Sequence, residues 1–104
     1  MIKITEAAAK QIIEAAKQEG MEDMALRLAA RRKDDGSFDY MMGFDHPGEE
    51  DITITDNEAQ IILSEENDAM LDGTTVDYVE MVEGKFHFIF LNPNDANYSP
   101  PIES

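Results

Sequence analysis

The stretch Phe86-His87-Phe88-Ile89-Phe90-Leu91, followed at once by Asn92-Pro93-Asn94, does most to decide the fold of this chain. Aromatic side chains at every second position predict a β-strand whose phenylalanines share one face. Asparagine and proline together indicate a turn that ends the strand. We therefore expect Phe86, Phe88 and Phe90 in the core and His87 on the opposite face of the sheet.

The residues before this strand predict a hairpin and a short helix. Glu83-Gly84 indicates a tight turn between strands at Thr74–Val82 and Lys85–Leu91. Asp72-Gly73 indicates the end of a helix that begins after a Ser64 cap. Two earlier strands are predicted on either side of a turn at Asp56-Asn57, and these are Ile52–Thr55 and Ile61–Leu63.

The N-terminal residues predict one longer helix. Thr5 is a suitable N-cap, and Ala8 and Ile12 follow at helical spacing. Gly20 is placed to end the helix. In a domain this small the apolar stripe is needed for burial, so we expect it to face the core.

Alternating patterns then predict a second hairpin. Apolar and polar residues alternate over residues 25–32 and again over residues 38–44, and the polar residues 33–37 between them indicate a turn. Leu26 and Leu28 are expected in the core. Together these elements predict a strand-rich α+β domain with an N-terminal helix packed on small antiparallel or mixed β-sheets.

Length and composition favour one domain. The 104 residues are 42% hydrophobic, which is enough for a modest core. We place the core domain at residues 1–94 and a flexible C-terminal tail at residues 95–104, because the tail has prolines and no apolar periodicity.

The net charge of −15 limits the classes of partner. Residues 1–33 hold 7 basic and 5 acidic groups, whereas residues 34–104 hold 1 basic and 18 acidic groups. Such a surface repels phosphate backbones and anionic lipids, so we expect neither nucleic acid nor a membrane as partner. The acidic residues could attract cations or a basic protein, although their commonest role is solubility.

The chain contains no cysteine, which excludes disulfides, zinc–thiolate sites, a cysteine nucleophile and a thiolate-held iron–sulfur cluster on its own residues. The N-terminus lacks a basic flank followed by an apolar segment, and no apolar run approaches the roughly 20 residues that span a bilayer. We therefore expect a cytoplasmic protein.

Four segments in order resemble the HesB/IscA family, whose members have the A-type iron–sulfur carrier fold. The last of these is similar to the phenylalanine-rich strand and Asn-Pro-Asn turn that precede the family's C-terminal cysteine pair. Asp77-Tyr78 follows the third segment, as in the family. The four segments are Ile2–Ala9, Ala25–Leu28, Leu71–Thr74 and Phe86–Asn94.

The resemblance implies three cysteine ligands for iron or a cluster, usually shared across a dimer. Laid on this chain, the family's first cysteine falls at Asp35, and its Cys-Gly-Cys pair falls at Ser99 and Pro101. Proline has no donor, serine is a poor ligand for these clusters, and aspartate prefers hard cations. The carrier activity therefore does not transfer with the fold alone.

A carboxylate metal site is the alternative that the sequence leaves open. Asp34, Asp35 and Asp39 lie close together in sequence, with His46 or Asp95 as a further ligand, and oxygen ligands suit hard divalent cations such as ferrous iron. With 23 acidic residues in the chain, three near one turn are also expected by chance.

The predicted function follows from these residues and the resemblance. Ser37, Ser64 and Ser99 stand in no nucleophile motif, and no glycine-rich phosphate loop is present, so we do not expect an enzyme. We predict a protein of the iron–sulfur assembly class that acts as an interaction or regulatory module and needs no cofactor of its own. Its expected partner is a protein, either a second copy in a homodimer or a cysteine-bearing relative.

Overall fold

The computed structural model describes residues 1–96 of the 104-residue chain. Within this part it forms a strand-rich α+β fold with two sheets, which confirms the predicted fold class. The sheets have the strand orders β1-β6-β7 and β3-β2-β5-β4. The elements in chain order are β1 Lys3–Ile4, α1 Glu6–Gln18, β2 Ala25–Arg32, β3 Phe38–Asp45, β4 Ile52–Asp56, β5 Ala59–Leu63, α2 Glu65–Leu71, β6 Thr75–Val82 and β7 Lys85–Leu91.

Helix α1 begins at a capping threonine and buries one face. The Thr5 hydroxyl accepts a hydrogen bond from the Ala8 amide at 3.1 Å, which satisfies a donor that the helix start leaves unpaired. The same hydroxyl donates to the Asp77 carboxylate on β6 at 2.7 Å, so the cap also ties the helix to a sheet. The buried face faces the core as predicted and consists of Ala8, Ala9, Ile12 and Ala16.

The four-stranded sheet is built around β2. Strand β2 pairs antiparallel with β3 and parallel with β5, so that Leu26 lies between Phe44 and Ile61. Strand β4 pairs antiparallel with β5 across a turn in which Asn57 and Glu58 have positive φ angles. Both leucines predicted for the core, Leu26 and Leu28, are buried.

The three-stranded sheet places β6 between β1 and β7. Strand β6 runs parallel to β1 and antiparallel to β7. Val76, at the inner end of the hairpin, is fully buried and pairs with Phe90. The prediction that Phe86, Phe88 and Phe90 all lie in the core is wrong for Phe86, which is 51% exposed.

The exposure of Phe86 follows from its place in the hairpin. Phe86 pairs with Glu80 near the turn, and all residues from 80 to 87 are exposed. Phe88 and Phe90 are partly buried and pack against the core, because they lie closer to the inner end. Alternation correctly identified the shared face, but it could not show where along the strand the core ends.

The end of the described chain contacts the core. The Phe38 amide donates to the Asp95 carboxylate at 3.2 Å, and the Ala96 amide donates to the Gly36 carbonyl at 3.1 Å. The domain boundary at residue 94 and the flexible tail stay predictions, since residues 97–104 lie outside the described residues. Among residues 1–96, no helix is both long and apolar enough to cross a bilayer.

Candidate functional site

The candidate site begins at the β2–β3 loop, residues Lys33–Ser37. The loop is closed by hydrogen bonds from the Lys33 amide to the Ser37 carbonyl at 2.7 Å and from the Gly36 amide to the Lys33 carbonyl at 3.0 Å. Gly36 has a φ of +86°, a conformation that suits glycine. The loop therefore holds Asp35 at a fixed position at the end of the four-stranded sheet.

Asp35 turns its carboxylate toward the following loop residues. Its Oδ1 accepts hydrogen bonds from the Ser37 amide at 2.9 Å and from the Ser37 hydroxyl. These bonds lower the pKa of Asp35 below its ordinary value, the hydroxyl bond having the larger effect. Asp35 itself is exposed, whereas Ser37 is buried. The carboxylate is thus ionised at neutral pH and already serves as a turn acceptor.

The second part of the site is the Asn92 segment, residues Asn92–Ala96. The buried Asn92 side chain donates to the Met70 carbonyl at 2.8 Å and accepts from the Asn94 amide at 3.0 Å. Asn94 donates to the Asp72 carbonyl at 2.9 Å. The two asparagines therefore satisfy carbonyl groups at the C-terminal end of α2, which fixes the direction in which the chain leaves β7.

The β2–β3 loop and the Asn92 segment meet. Asp95 accepts hydrogen bonds from the Phe38 amide at 3.2 Å and from the Tyr40 hydroxyl at 2.8 Å. The Ala96 amide donates to Gly36, and a Cβ atom added at Gly36 would lie 3.3 Å from the Ala96 Cβ. This close approach brings the residues that follow β7 against the loop that contains Asp35.

Tyr40 stabilises the contact between the β2–β3 loop and the Asn92 segment. Its ring stacks on Phe90 with centroids 4.7 Å apart. Burial raises the pKa of the Tyr40 phenol, and the hydrogen bond to the Asp95 carboxylate raises it further. The hydroxyl is therefore a neutral donor at physiological pH, which is the form that the Asp95 carboxylate needs.

The other predicted ligands have different partners. Asp34 is exposed in the loop, and Asp39 lies on β3 with its carboxylate 3.5 Å from Arg31 and 3.6 Å from Lys33. His46 is exposed. Across residues 1–96, no three histidine, aspartate or glutamate side chains are grouped in a way that could hold a metal ion. A metal role for Asp34, Asp35 and Asp39 stays a prediction.

The family model described as iron–sulphur cluster biosynthesis matches residues 1–102, nearly the whole chain. The chain belongs to this family. The resemblance to HesB/IscA proteins is thereby confirmed.

Named relatives and solved structures agree with the family. Iron-sulfur cluster insertion protein ErpA of Francisella tularensis subsp. novicida (strain U112) is 33% identical over 94 residues, which cover 89% of this chain and 80% of that protein. The crystal structure of Escherichia coli SufA, involved in biosynthesis of iron–sulfur clusters, superposes with a TM-score of 0.74 at 25% identity and covers 89% of this chain and 86% of SufA.

A second solved structure carries a cluster. The crystal structure of IscA with the [2Fe-2S] cluster superposes with a TM-score of 0.75 at 26% identity, covering 92% of this chain and 88% of IscA. This chain keeps the backbone frame of that protein, but its 104 residues contain no cysteine. The donors present at the site do not fit an iron–sulfur cluster, because the Asp35 carboxylate is a hard ligand already bonded to Ser37.

The sequence placed only part of this site. Asp35 was identified through the resemblance, and its counterparts Ser99 and Pro101 lie outside the described residues. The pairing of Tyr40 with Asp95 was not predicted, since these residues are 55 positions apart and neither lies in a motif. The Asn-Pro-Asn turn was the available signal, because asparagine beside proline after a strand indicates a turn with side-chain hydrogen bonds.

The sequence also did not predict the hydrogen bonds of Arg27, which lies on the face of the four-stranded sheet opposite the buried Leu26 and Leu28. The Arg27 guanidinium donates two hydrogen bonds to Asp51, at 2.9 and 2.6 Å, and one to Asp45 at 2.8 Å. These bonds lower the pKa of Asp51 to about 2 and also lower the pKa of Asp45. Arg27 thus binds the loop between β3 and β4 to strand β2, so its role is structural.

Proposed function

We propose that this chain is a non-catalytic interaction module of the iron–sulfur assembly class, which keeps the carrier fold and does not carry a cluster on its own residues. The observation that carries the proposal is the state of Asp35. The resemblance implies that Asp35 falls at the position of the family's first cysteine, and the Asp35 carboxylate accepts hydrogen bonds from Ser37 within the loop. A protein that only binds partners through this fold needs its backbone structure and does not need the thiolates that hold a cluster.

The partner of such a module is another protein. A second copy and a cysteine-bearing relative both fit the family, since family members use this fold in cluster insertion and biosynthesis, as the names of ErpA and SufA state for those proteins. The charge of −15 argues against nucleic acid and anionic lipid as partners. The proposed compartment is the cytoplasm, which keeps the thiols of a cysteine-bearing partner reduced.

Anaerobic reconstitution tests the proposal. The purified protein is incubated with ferrous iron and sulfide, desalted, and measured by absorbance spectroscopy and metal analysis beside the ErpA relative. We expect no retained iron and no visible charge-transfer bands, whereas the relative serves as the positive control. Stoichiometric iron with sulfide in the protein would contradict the proposal.

The same experiment separates the carboxylate alternative. Iron retained without sulfide would favour a mononuclear oxygen-ligand site, and Asp35→Ala would then abolish that retention. An interaction module predicts that Asp35→Ala changes neither metal content nor spectrum.

A further inference from the structure

An apolar groove of about 340 Å³ opens between the second half of α1, strand β3 and strand β7. It is separate from the junction of the β2–β3 loop and the Asn92 segment, since the two share no residues. Its apolar walls include Ile12, Ala15, Met21, Met42, Phe44 and Phe88. We call this surface the α1–β7 groove.

The groove exposes side chains that the fold would be expected to bury. Met42 pairs with the fully buried Leu28 on the core face of its sheet, yet it is 47% exposed. Phe86, on the same face of β7 as Phe88, is also 51% exposed, but it stacks on Tyr78 and does not line the groove. Contiguous exposed methionine and aromatic surface is typical of a protein-binding site, and methionine adapts to varied partners.

Carboxylates border the groove. Glu19 lines it directly. An adjoining depression shares Ile12 and Phe44 with the groove and is bordered by Glu22 and Glu58, with Lys17 as its one cation. None of these three glutamates takes part in the ion pairs formed among residues 1–96. The rim therefore offers unpaired negative charge beside apolar surface.

This combination selects one class of occupant. A second copy would bring another −15 charge and another acidic rim to the same surface, which opposes self-association through the groove. A segment with apolar anchors between lysine or arginine residues complements both the walls and the rim. We propose that the α1–β7 groove docks a basic amphipathic segment of a partner protein.

This inference rests on the proposed function as an interaction module and gives that module a surface and a partner chemistry. Apolar anchors would fill the space between Met42 and Phe88, and basic flanks would lie beside Glu19 and Glu22. Affinity should then fall with increasing salt, because the rim charges are exposed and easily screened.

The test uses the full chain and a fluorescein-labelled amphipathic peptide of leucine and lysine. Two control peptides replace every lysine by glutamate or every leucine by serine. Binding of the parent peptide should weaken at least about tenfold in Met42→Ser and about fivefold in Glu19→Lys/Glu22→Lys. Met81→Ser is the matched control, because Met81 is 60% exposed and does not line the groove.

Methionine methyl NMR locates the peptide on the unmodified protein. The signals of Met21 and Met42 should shift on addition of the leucine–lysine peptide, and that of Met81 should not. Equal binding of either control peptide, unchanged affinity of Met42→Ser, or shifts confined to Met81 would each overturn the proposal. A Met42-dependent dimer that excludes the peptide would overturn it in favour of a second copy.

The outcome is independent of iron. Retention of a cluster by the unmodified protein would contradict the proposed function and leave the peptide result unchanged. Failure of the peptide to bind would overturn the assignment of the α1–β7 groove as a docking site and leave the proposed function untouched.

Discussion

Single residues hold the candidate site together, and Tyr40 is the most testable of them. Its hydroxyl donates to Asp95 at 2.8 Å in a partly buried setting. Tyr40→Phe removes this donor and should lower the free energy of unfolding by about 1 kcal/mol. Tyr78→Phe is the control, because within residues 1–96 the Tyr78 hydroxyl makes no hydrogen bond. Urea unfolding of both variants measures the difference, and equal stabilities would contradict the assigned role of Tyr40.

Asp51 predicts a dependence of stability on pH. Its pKa is lowered from 3.8 to about 2 in the folded state by the Arg27 hydrogen bonds. A carboxylate whose pKa is lower in the folded than in the unfolded state stabilises the fold when the pH is above the unfolded-state pKa. This contribution is lost as the pH falls through the folded-state pKa. Asp51→Asn should therefore be less stable than the unmodified protein at neutral pH, and the two should converge between about pH 4 and about pH 2.

Thermal unfolding across that pH range checks the prediction for Asp51. The control is Asp34→Asn, which changes an exposed carboxylate in the β2–β3 loop and should alter the midpoint little at any pH. A constant gap between Asp51→Asn and the unmodified protein down to about pH 2 would show that the Arg27 bonds do not set the stability at this position.

The sequence predicted core residues better than polar partnerships. Leu26 and Leu28 are buried as expected, because alternation on a strand reports directly on burial. Phe86 was placed in the core wrongly, since its hairpin extends past the packed part of the sheet. The Arg27–Asp51 bond depends on how a loop returns over a sheet, and alternation contains no information about that path.

At the scale of elements, the turn after α2 depends on a glycine. Gly73 has a φ of +80°, and an added Cβ atom would lie 3.3 Å from the Pro93 Cγ. Gly84 has a similar φ of +79°, but an added Cβ would meet nothing within 4 Å. A residue other than glycine would therefore be strained in either turn, and the turns differ in their contact with the Asn92 segment.

This difference gives a matched pair of variants. Gly84→Ala should cost about 1 kcal/mol of stability from backbone strain alone. Gly73→Ala should cost clearly more, because Pro93 must also move and Asn94 would then be displaced from the Asp72 carbonyl. Chemical denaturation measures both. Equal losses would mean that the contact between Gly73 and Pro93 does not matter for the fold.

The elements themselves were largely predictable. The capped helix, both hairpins and the short helix before Gly73 lie where periodicity and turn residues placed them, because each has a local signal. The pairing of β1 with β6 and of β2 with β5 is parallel and joins segments far apart in sequence. No local pattern predicts such pairings, so the sequence predicted the class of fold and not these two strand partnerships.

In the whole molecule, the fold of the family is present and the cysteine ligands are absent. The fold superposes on IscA and SufA, and the hydrogen bonds of Asn92, Asp95 and Ala96 bring the chain after β7 to the loop of Asp35. The fold of the family is therefore present, with residues 92–96 held at the loop of Asp35, while the chain contains no cysteine. The sequence showed the absence of cysteine directly, and the structure added the contacts between residues 92–96 and the β2–β3 loop.

Restoring cysteines at the family's ligand positions shows whether this fold can still hold a cluster. The variant Asp35→Cys, Ser99→Cys, Pro100→Gly, Pro101→Cys is reconstituted anaerobically with ferrous iron and sulfide beside the unmodified protein, and iron, sulfide and visible absorbance are measured after desalting. Because the frame is intact, we predict that the variant retains iron and sulfide with visible charge-transfer bands and that the unmodified protein retains neither. A folded variant that holds no more iron than the unmodified protein would show that the missing cysteines are not what prevents this fold from holding a cluster.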